Sequence, residues 1–446
     1  MAQETPKNYR NLIIYEIYVR NHGPNGNFSD VMADLERIQS MGVDIIWFMP
    51  IHPIGVLNKK GTLGCPYSIS NYREINPEYG TKADFHALIE RAHQLGLKVM
   101  IDVVFNHTSH DSELVKQHPD WFHQDKTGMP VTTVPEWSDV IDLKHPNPAL
   151  SDYLIKTLQQ WVAFGVDGFR CDVASLLPLS FWKAARKSVA EVKPEVIWLA
   201  ESVHPSFVED RRTHDLSALS ECEIYSVFDL AYEYDTWPVW QAAVKETVPI
   251  SRYLEMIRFQ NSVYPENYIK MRYVENHDQP RVMGFAAGTH QALAWTAFSA
   301  FNRGAFLIYA GQESGETHRP SLFDIDKINW QNYPYQSFIT TLARLKKHPA
   351  QIEGNFFLIN DGEPAIQAVW YTPSTSLFGL FNVKQQSGDI SVSLPDGVYV
   401  DLLSDQPVAV KNQRMTLPES AVILEGKMPN PPRQFFSGLL DTHYES

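Results

Sequence analysis

In the stretch "VDGFRCDVA", residues 166–174, an apolar run ends in an arginine and an aspartate two positions apart. Side chains alternate between the two faces of a β-strand, so Arg170 and Asp172 point the same way and Cys171 points the other way. An exposed ion pair would stabilise the protein little. The apolar neighbours on both sides instead predict that this pair is buried, which favours a functional role.

Strand-like and helix-like segments alternate on both sides of this stretch. The predicted strands are 12–19, 43–50, 97–107, 166–172, 196–202, 270–278 and 305–311, and the predicted helices are 28–42, 82–96, 148–165, 179–192, 290–302 and 335–347. This alternation favours a parallel sheet with helical crossovers, and the count comes close to that of a (β/α)8 TIM barrel. An open doubly wound sheet is the alternative. It is weakened because no glycine-rich phosphate-binding turn follows the first strand.

Two regions depart from the alternation. Residues 108–146 are irregular and rich in His, Asp, Pro and Trp, which predicts a short inserted loop domain after the third strand. Residues 351–426 alternate apolar and polar side chains between Gly and Pro turns, which predicts a C-terminal antiparallel β-sandwich domain. The barrel then comprises 1–107 and 147–350, and 427–446 form a tail.

The composition argues against several classes of protein. A net charge of −14 disfavours nucleic acid and anionic membranes as partners. No run approaches the ~18 apolar residues of a transmembrane helix. The start "MAQETPKNYRN" lacks the apolar region of a signal peptide, and the 3 cysteines are too few for a disulfide framework. We therefore expect a cytoplasmic protein, whose oligomeric state the sequence does not reveal.

Four of the predicted strands end in ionisable side chains. They are Asp102 and His107 in "DVVFNH", Arg170 and Asp172 in "GFRCDVA", Glu201 in "WLAES", and His277 and Asp278 in "VENHD". One such strand would be unremarkable, because Asp and Asn favour turns. In a barrel, however, the carboxyl ends of all strands converge on one rim, where active sites are built. Four charged strand ends on this rim indicate a functional site.

The carboxylates of Asp172, Glu201 and Asp278, held close together, cannot all be ionised cheaply, because like charges raise one another's pKa. This predicts a protonated acid beside an ionised nucleophile, which glycoside cleavage requires. A retaining mechanism needs the two carboxyl groups about 5–5.5 Å apart. Neighbouring strands lie about 4.7–4.9 Å apart, which suits Asp172 and Glu201. Arg170 would keep Asp172 ionised and oriented.

In their order and spacing, these four segments resemble the signature regions of the α-amylase family, glycoside hydrolase family 13. The resemblance implies that Asp172 is the nucleophile that forms a covalent glycosyl intermediate. It implies that Glu201 is the general acid/base and that Asp278 binds hydroxyl groups of the sugar at the cleavage point. Further implied roles are sugar binding by His107 and His277, orientation of the nucleophile by Arg170, stacking on the sugar by Tyr67 in "CPYSISNY", and support of Arg170 by Asp102.

The sequence also departs from the family pattern. Many members follow the nucleophile with a Lys-His pair that serves acceptor binding and a calcium site, whereas this chain has Ser175 and Leu176. Asn106 matches a family calcium ligand, but its partner ligands are not evident, so we expect no required cofactor. Val173 and "HDQPR" (277–281) are similar to members that cleave α-1,6 bonds or both α-1,4 and α-1,6 bonds. Val173 is equally compatible with a purely structural role.

The resemblance therefore predicts a retaining α-glucosidic hydrolase that acts on α-1,4 and/or α-1,6 linkages of malto- or isomalto-oligosaccharides. The short inserted region leaves few walls around a long polymer, which favours small α-glucan oligosaccharides over starch. One alternative is a transglycosylase of the same family, which shares the three carboxylates. Another is a non-catalytic sugar-binding protein on the same barrel, for which the loss of one carboxylate would be the usual sign.

Overall fold

Eight parallel strands form a nearly closed barrel in the computed structural model, which describes residues 4–428 and 430–433. The barrel strands are β1 (Ile13–Ile17), β2 (Ile45–Phe48), β3 (Lys98–Val103), β4 (Gly168–Cys171), β5 (Ile197–Ala200), β6 (Leu230–Ala231), β7 (Met271–Arg272) and β8 (Ala305–Tyr309). Their hydrogen-bonded order is β6-β5-β4-β3-β2-β1-β8-β7, and a parallel bridge from Ala231 to Lys270 joins the two ends. The predicted TIM barrel is confirmed.

Helices lie between the strands and cover the barrel. The longer ones are α1 (Phe28–Ser40), α2 (Lys82–Gln94), α3 (Pro148–Phe164), α4 (Leu179–Ala190), α5 (Pro205–Thr213), α6 (Trp237–Val244), α7 (Ile250–Val263), α8 (Thr289–Phe301) and α9 (Gln336–Lys346). Shorter helices are Val19–His22, Glu113–Gln117, Glu221–Ile224, Val282–Phe285 and Pro349–Glu353. α3 shows how the sequence sets their limits. The Asn147 side chain caps its first turn, Pro148 occupies its first position, and Gly165 ends it with φ 123°.

The strands read as apolar runs because both of their faces are covered. Every residue of β1, β2, β4 and β5 is buried, as expected for a parallel sheet whose outer face packs against helices. Glu16 in β1 and Arg170 in β4 are charged exceptions, and both are fully buried. A charge in such a position needs partners, and these partners form the site described below.

Two predicted strand limits need correction, and one barrel strand was not predicted. The segment 97–107 is not one strand, because β3 ends at Val103 and His107–Ser109 pairs instead with Val140–Asp142 in an antiparallel ribbon. The segment 270–278 is a strand only at Met271–Arg272, and the rest is a loop. The strand at β6 was not recognised from the sequence, because two residues show no periodicity. The loops that replace the predicted strand ends bring side chains to the rim.

Antiparallel sheets follow the barrel, as predicted. Strands Asn355–Leu358, Ile366–Tyr371, Ser376–Phe381 and Ala421–Gly426 form one sheet, while Asp389–Ser391 pairs with Arg414–Thr416 and Gly397–Val400 with Pro407–Val410. The first sheet contacts α8, where the Phe298 and Phe381 rings lie 5.3 Å apart. The domain limits given above stay predictions, and most of the predicted tail 427–446 lies outside the described residues. Within those residues, no helix has the length and apolar character needed to cross a bilayer.

Candidate active site

Arg170 lies at the centre of the charged rim and is fully buried. Its Nη1 donates hydrogen bonds to Oδ1 of Asp102 and to Oδ1 of Asp172, each at 2.8 Å. Its Nη2 lies 3.1 Å from Oε1 of Glu201, and its Nε donates to the Tyr232 hydroxyl at 3.2 Å. One guanidinium group therefore holds three carboxylates, a use suited to its fixed, planar set of donors.

Strand order explains why these carboxylates meet. β3, β4 and β5 are neighbours, and Asp102 pairs with Arg170 while Cys171 pairs with Ala200. Asp172 directly follows β4, and Glu201 directly follows β5. The backbone N–H of Glu201 donates to the carbonyl of Cys171 at 3.0 Å, which continues the ladder one step beyond the strands. The two carboxyl groups thus leave adjacent strands at the same rim.

Val173 turns the chain directly after Asp172. Its backbone is left-handed, with φ 35° and ψ 46°, which is a strained conformation for a β-branched residue. In this conformation its N–H donates to Oε2 of Glu201 at 2.7 Å, and the N–H of Ala174 donates to the Glu201 carbonyl at 3.0 Å. The strained turn therefore fixes the orientation of the Glu201 carboxylate.

His277 links the other side of the rim to this cluster. Its Nε2 lies 3.0 Å from Oδ2 of Asp278 and 2.8 Å from the Tyr67 hydroxyl, and its Nδ1 lies 2.5 Å from Oε1 of Glu16. The Tyr67 hydroxyl donates to Oδ2 of Asp102 at 2.9 Å. Sequence reasoning missed Glu16. The signal that could have revealed it is a lone carboxylate within the apolar run "LIIYEIYV".

Burial and neighbouring charges spread the pKa values of the carboxyl groups apart. Burial raises the pKa of Glu201 to about 7 and that of Asp172 to about 6, although Arg170 opposes both shifts. Burial also opposes ionisation of Asp278, but His277 outweighs it and lowers the pKa of Asp278 to about 2. Burial likewise disfavours the charge on His277, yet Asp278 and Glu16 raise its pKa well above 6.5. Near neutral pH the cluster thus combines one weak acid with ionised carboxylates.

A cavity of about 270 Å³ opens onto this cluster. Its lining includes Tyr67, His107, Asp172, Val173, Glu201, His277 and Asp278, together with Lys60, Trp137, Asp139 and Phe323. Arg170 and Asp102 do not line the cavity, but Arg170 contacts Asp172 and Glu201 of the lining directly, and Asp102 contacts Tyr67. The structure thus brings all the predicted site residues to one place, with six lining the cavity and two supporting it. Their individual roles stay predictions.

An ion pair joins two walls of the cavity. Nζ of Lys60, in the loop after β2, lies 2.8 Å from Oδ1 of Asp139 in the inserted region. The same Nζ donates to the carbonyl of Glu136 at 3.0 Å. We call this contact the Lys60–Asp139 clasp. Sequence reasoning missed it, because residues of two irregular loops show no pattern that pairs them.

Asn106, which matches a calcium ligand of the family, lies in a network of hydrogen bonds. Its side-chain Nδ2 lies 3.2 Å from Nδ1 of His107, and its carbonyl accepts a hydrogen bond from the N–H of Leu143. Oδ2 of the nearby Asp142 accepts the N–H of Thr133 at 2.8 Å. In the described ranges, no group of three or more His, Cys, Asp or Glu side chains is arranged to hold a metal. The expectation that no cofactor is required stays a prediction.

Comparison with known proteins adds independent support for the architecture. Residues 8–337 match the model of the alpha amylase catalytic domain, and residues 358–424 match that of the bacterial alpha amylase C-terminal domain. The crystal structure of an alpha-amylase from Lactobacillus plantarum has a TM-score of 0.91 and 40% sequence identity, covering 94% of this chain and 100% of that chain.

Two curated relatives are more distant. Alpha-amylase MalA from Haloarcula japonica is 28% identical over 387 residues, which cover 81% of this chain and 53% of MalA. An alpha-1,4-glucan:maltose-1-phosphate maltosyltransferase from Bifidobacterium longum is 26% identical over 396 residues, which cover 79% of this chain and 50% of the transferase. The chain thus spans about half the length of these two relatives.

Proposed function

The chain belongs to the alpha-amylase family, and we propose that it is a retaining glycoside hydrolase that cleaves α-glucosidic bonds of short malto- or isomalto-oligosaccharides. One observation carries the proposal. The buried Arg170 contacts both Asp172, at 2.8 Å, and Glu201, at 3.1 Å, where these carboxyl groups line a cavity. With Asp278 beside them, no carboxylate is missing, which argues against a non-catalytic sugar-binding protein.

In the first step, the Asp172 carboxylate attacks the anomeric carbon of the sugar and forms a covalent ester. The bond from that carbon to the leaving oxygen breaks, and Glu201 gives its proton to this oxygen. Between about pH 6 and about 7, Asp172 is ionised while Glu201 still holds its proton, because burial raises the pKa of Glu201 further. The order of the two pKa values supports this assignment.

In the second step, Glu201 acts as a base. Its carboxylate takes a proton from a water molecule whose oxygen attacks the anomeric carbon, and the bond to Asp172 breaks. The N–H of Val173 stabilises the ionised form of Glu201, while Arg170 stabilises the departing Asp172 carboxylate. Asp278 and His277 supply an acceptor and a donor for sugar hydroxyl groups.

The dimensions of the cavity support a small substrate. Its volume of about 270 Å³ lies at the lower limit of ordinary ligand pockets, about 300–1,000 Å³. The Lys60–Asp139 clasp restricts the passage of a long chain between two of its walls. Val173 lines this cavity and also packs with Leu176 and Val203 in an apolar cluster. Its position is therefore compatible with a part in linkage specificity and with a purely structural role.

Transfer to a second sugar or to phosphate is the second candidate function. It would use the same Asp172 intermediate, with another hydroxyl or a phosphate oxygen replacing water. The similarity to the maltosyltransferase favours retaining this candidate. Acceptor contacts distinguish the two reactions, and these contacts need a bound acceptor to be identified.

Product analysis tests the proposal. The protein is incubated with maltotriose, panose and isomaltose, products are separated by chromatography, and Asp172→Asn serves as control. Glucose from isomaltose, or maltose together with glucose from panose, would establish α-1,6 cleavage. Cleavage of maltotriose, with panose yielding only isomaltose and glucose, would establish an α-1,4 enzyme, and longer products would establish transfer. Proton NMR of the first product should show the α-anomer. A first-formed β-anomer would contradict the proposal, and so would the absence of turnover with every one of the three sugars.

A further inference from the structure

A second cavity, of about 570 Å³, lies on the opposite side of the barrel from the carboxylate cluster. Lys7 and Arg10 contribute to its lining before β1 begins, and Arg303 contributes just before β8 begins. Phe356, from the first strand after the barrel, forms part of another wall. The cavity therefore lies at the amino-terminal ends of the strands, at the seam with the C-terminal sheets.

The charges around this cavity are unbalanced. Lys7, Arg10 and Arg303 form no ion pair within residues 4–428 and 430–433, although the whole chain has a net charge of −14. The carboxylate of Glu266 also lines the cavity and, with Glu353, favours the charge on Lys7 without reaching ion-pair distance. Three cations thus face one space with one carboxylate on its wall.

Part of this cluster has a structural explanation. Nη2 of Arg10 donates to the carbonyls of Gln351, Ile352 and Gly354, at the end of the helix Pro349–Glu353. Nζ of Lys7 donates to the carbonyl of Glu353 at 3.3 Å, at the end of the same helix. A cation at a helix C-terminus is favourable, which accounts for Arg10 and in part for Lys7. It does not account for Arg303, whose Nη1 donates to Oδ1 of Asn261 at 3.3 Å and whose Nη2 donates to the carbonyl of Glu266.

Several donors on the cavity-lining residues lack an acceptor. Nε of Arg10, Nε of Arg303 and Nδ2 of Asn267 are buried and have no hydrogen-bond partner in the described part of the chain. Arg10 itself is only 7% exposed. Burial and the neighbouring Arg303 charge lower the pKa of Arg10 to about 10. Buried donors and mutually repelling cations are the arrangement that a bound anion would relieve.

We propose that this cavity binds the phosphate monoester of a small sugar. Guanidinium groups match phosphate oxygens in geometry and charge, and a phosphate monoester carries about −1.5 to −2 charge near pH 7. The volume exceeds that of a simple ion and lies within the range of small-molecule sites, about 300–1,000 Å³. The amides of Asn261 and Asn267 suit sugar hydroxyl groups, and the ring of Phe356 suits the apolar face of a sugar, while the Tyr268 ring packs against Arg303.

Calorimetry of the full chain in a phosphate-free buffer tests the proposal. The probes are glucose 1-phosphate, glucose 6-phosphate, inorganic phosphate, AMP and glucose. At least one sugar phosphate should bind with a Kd below about 1 mM and more tightly than phosphate or AMP. Equal or tighter binding of phosphate or AMP would overturn the sugar assignment, and no binding of either sugar phosphate would overturn the site.

Variants locate the binding. The double change Lys7→Gln and Arg303→Gln should weaken sugar phosphate binding at least ~tenfold, whereas Lys187→Gln, on an exposed part of α4, should leave it unchanged. Lys7→Gln alone is the second test, because Lys7 is exposed and its change spares the fold. Asp172→Asn should bind as tightly as the parent protein. Unchanged binding by both Lys7 variants, or loss of binding in Asp172→Asn, would contradict the location.

Discussion

Two buried clusters in the barrel are built from the same components, one cation among carboxylates, but their surroundings differ. Nζ of Lys270 lies 3.0 Å from Oε1 of Glu221 and 3.0 Å from Oδ1 of Asp235, and it donates to the carbonyl of Tyr232 at 2.7 Å. Arg170 holds Asp102, Asp172 and Glu201 in a comparable way, but the last two line the cavity.

The protonation behaviour of the two clusters differs in one carboxyl group. Burial raises the pKa of Glu221, although Lys270 opposes this shift. Burial also opposes the charge of Asp235, but Lys270 outweighs it and lowers the pKa of Asp235, and further hydrogen bonds come from Gln260 and Tyr264 at 2.8 Å each. In the other cluster, burial outweighs Arg170 and raises the pKa of Asp172 and of Glu201. The comparison teaches that composition alone does not make a site. What sets the Arg170 cluster apart is that Asp172 and Glu201, whose pKa values are raised, line a cavity.

The largest expected effect is that of Asp172→Asn. The amide keeps the shape of the side chain but cannot form the glycosyl ester, so kcat should fall on the order of 10⁴-fold or more. Glucose release from the best substrate measures the loss, and circular dichroism checks that the fold is retained. If the variant keeps a tenth of the activity, Asp172 is not the nucleophile.

The second effect concerns the pH dependence of the Arg170 cluster. Below the pKa of Asp172, about 6, the nucleophile is protonated, and above the pKa of Glu201, about 7, the acid has lost its proton. kcat/KM should therefore be bell-shaped, with its maximum between these values. Glu201→Gln should lower the rate on the order of 10²–10⁴-fold and abolish the alkaline limb. If the alkaline limb persists in this variant, a residue other than Glu201 is the general acid.

The third effect should appear in stability and not in catalysis. Lys270→Met leaves two carboxylates buried without their cation, which should cost about 3–5 kcal/mol of unfolding free energy, measured in urea. Lys156→Met is the matched control, because its pair with Asp152 is exposed on α3 and should contribute about 0.5 kcal/mol or less. The kcat of folded Lys270→Met should match the parent protein. A selective loss of kcat would show that the two clusters are not separate in function.

The smallest effect concerns the Lys60–Asp139 clasp. Lys60→Ala removes the contact between two walls of the cavity, so activity on maltoheptaose relative to maltotriose should rise by a few fold. Lys59→Ala, in the same loop, is the control, because Lys59 bonds the carbonyl of Thr62 and does not line the cavity. Identical ratios in both variants would mean that the clasp does not limit substrate length.

The sequence predicted what local patterns encode. The barrel was predictable because buried parallel strands read as apolar runs and the helices between them carry clear end signals, as at Asn147 and Gly165. β6 was not predictable, because two residues contain no pattern. The charged strand ends could also be recognised from a local pattern, since Asp172 and Glu201 each follow an apolar run.

Contacts between distant parts of the chain could not be read in this way. Glu16 and His277 are 261 residues apart, and neither local segment indicates the other. The left-handed turn at Val173 also contradicts the preference of a β-branched residue, so tertiary contacts impose it. The assigned catalytic roles, the dispensability of calcium and the cytoplasmic location stay predictions.

Trapping the covalent intermediate identifies the residue that attacks the sugar. The protein is incubated with 5-fluoro-α-glucosyl fluoride, whose ring fluorine slows both steps while its leaving group needs no acid. The protein is then digested and analysed by mass spectrometry. We predict a glycosyl adduct on the peptide that carries Asp172, absent from Asp172→Asn. An adduct on another residue, or turnover by direct displacement with inversion at the anomeric carbon, would contradict Asp172 as the nucleophile.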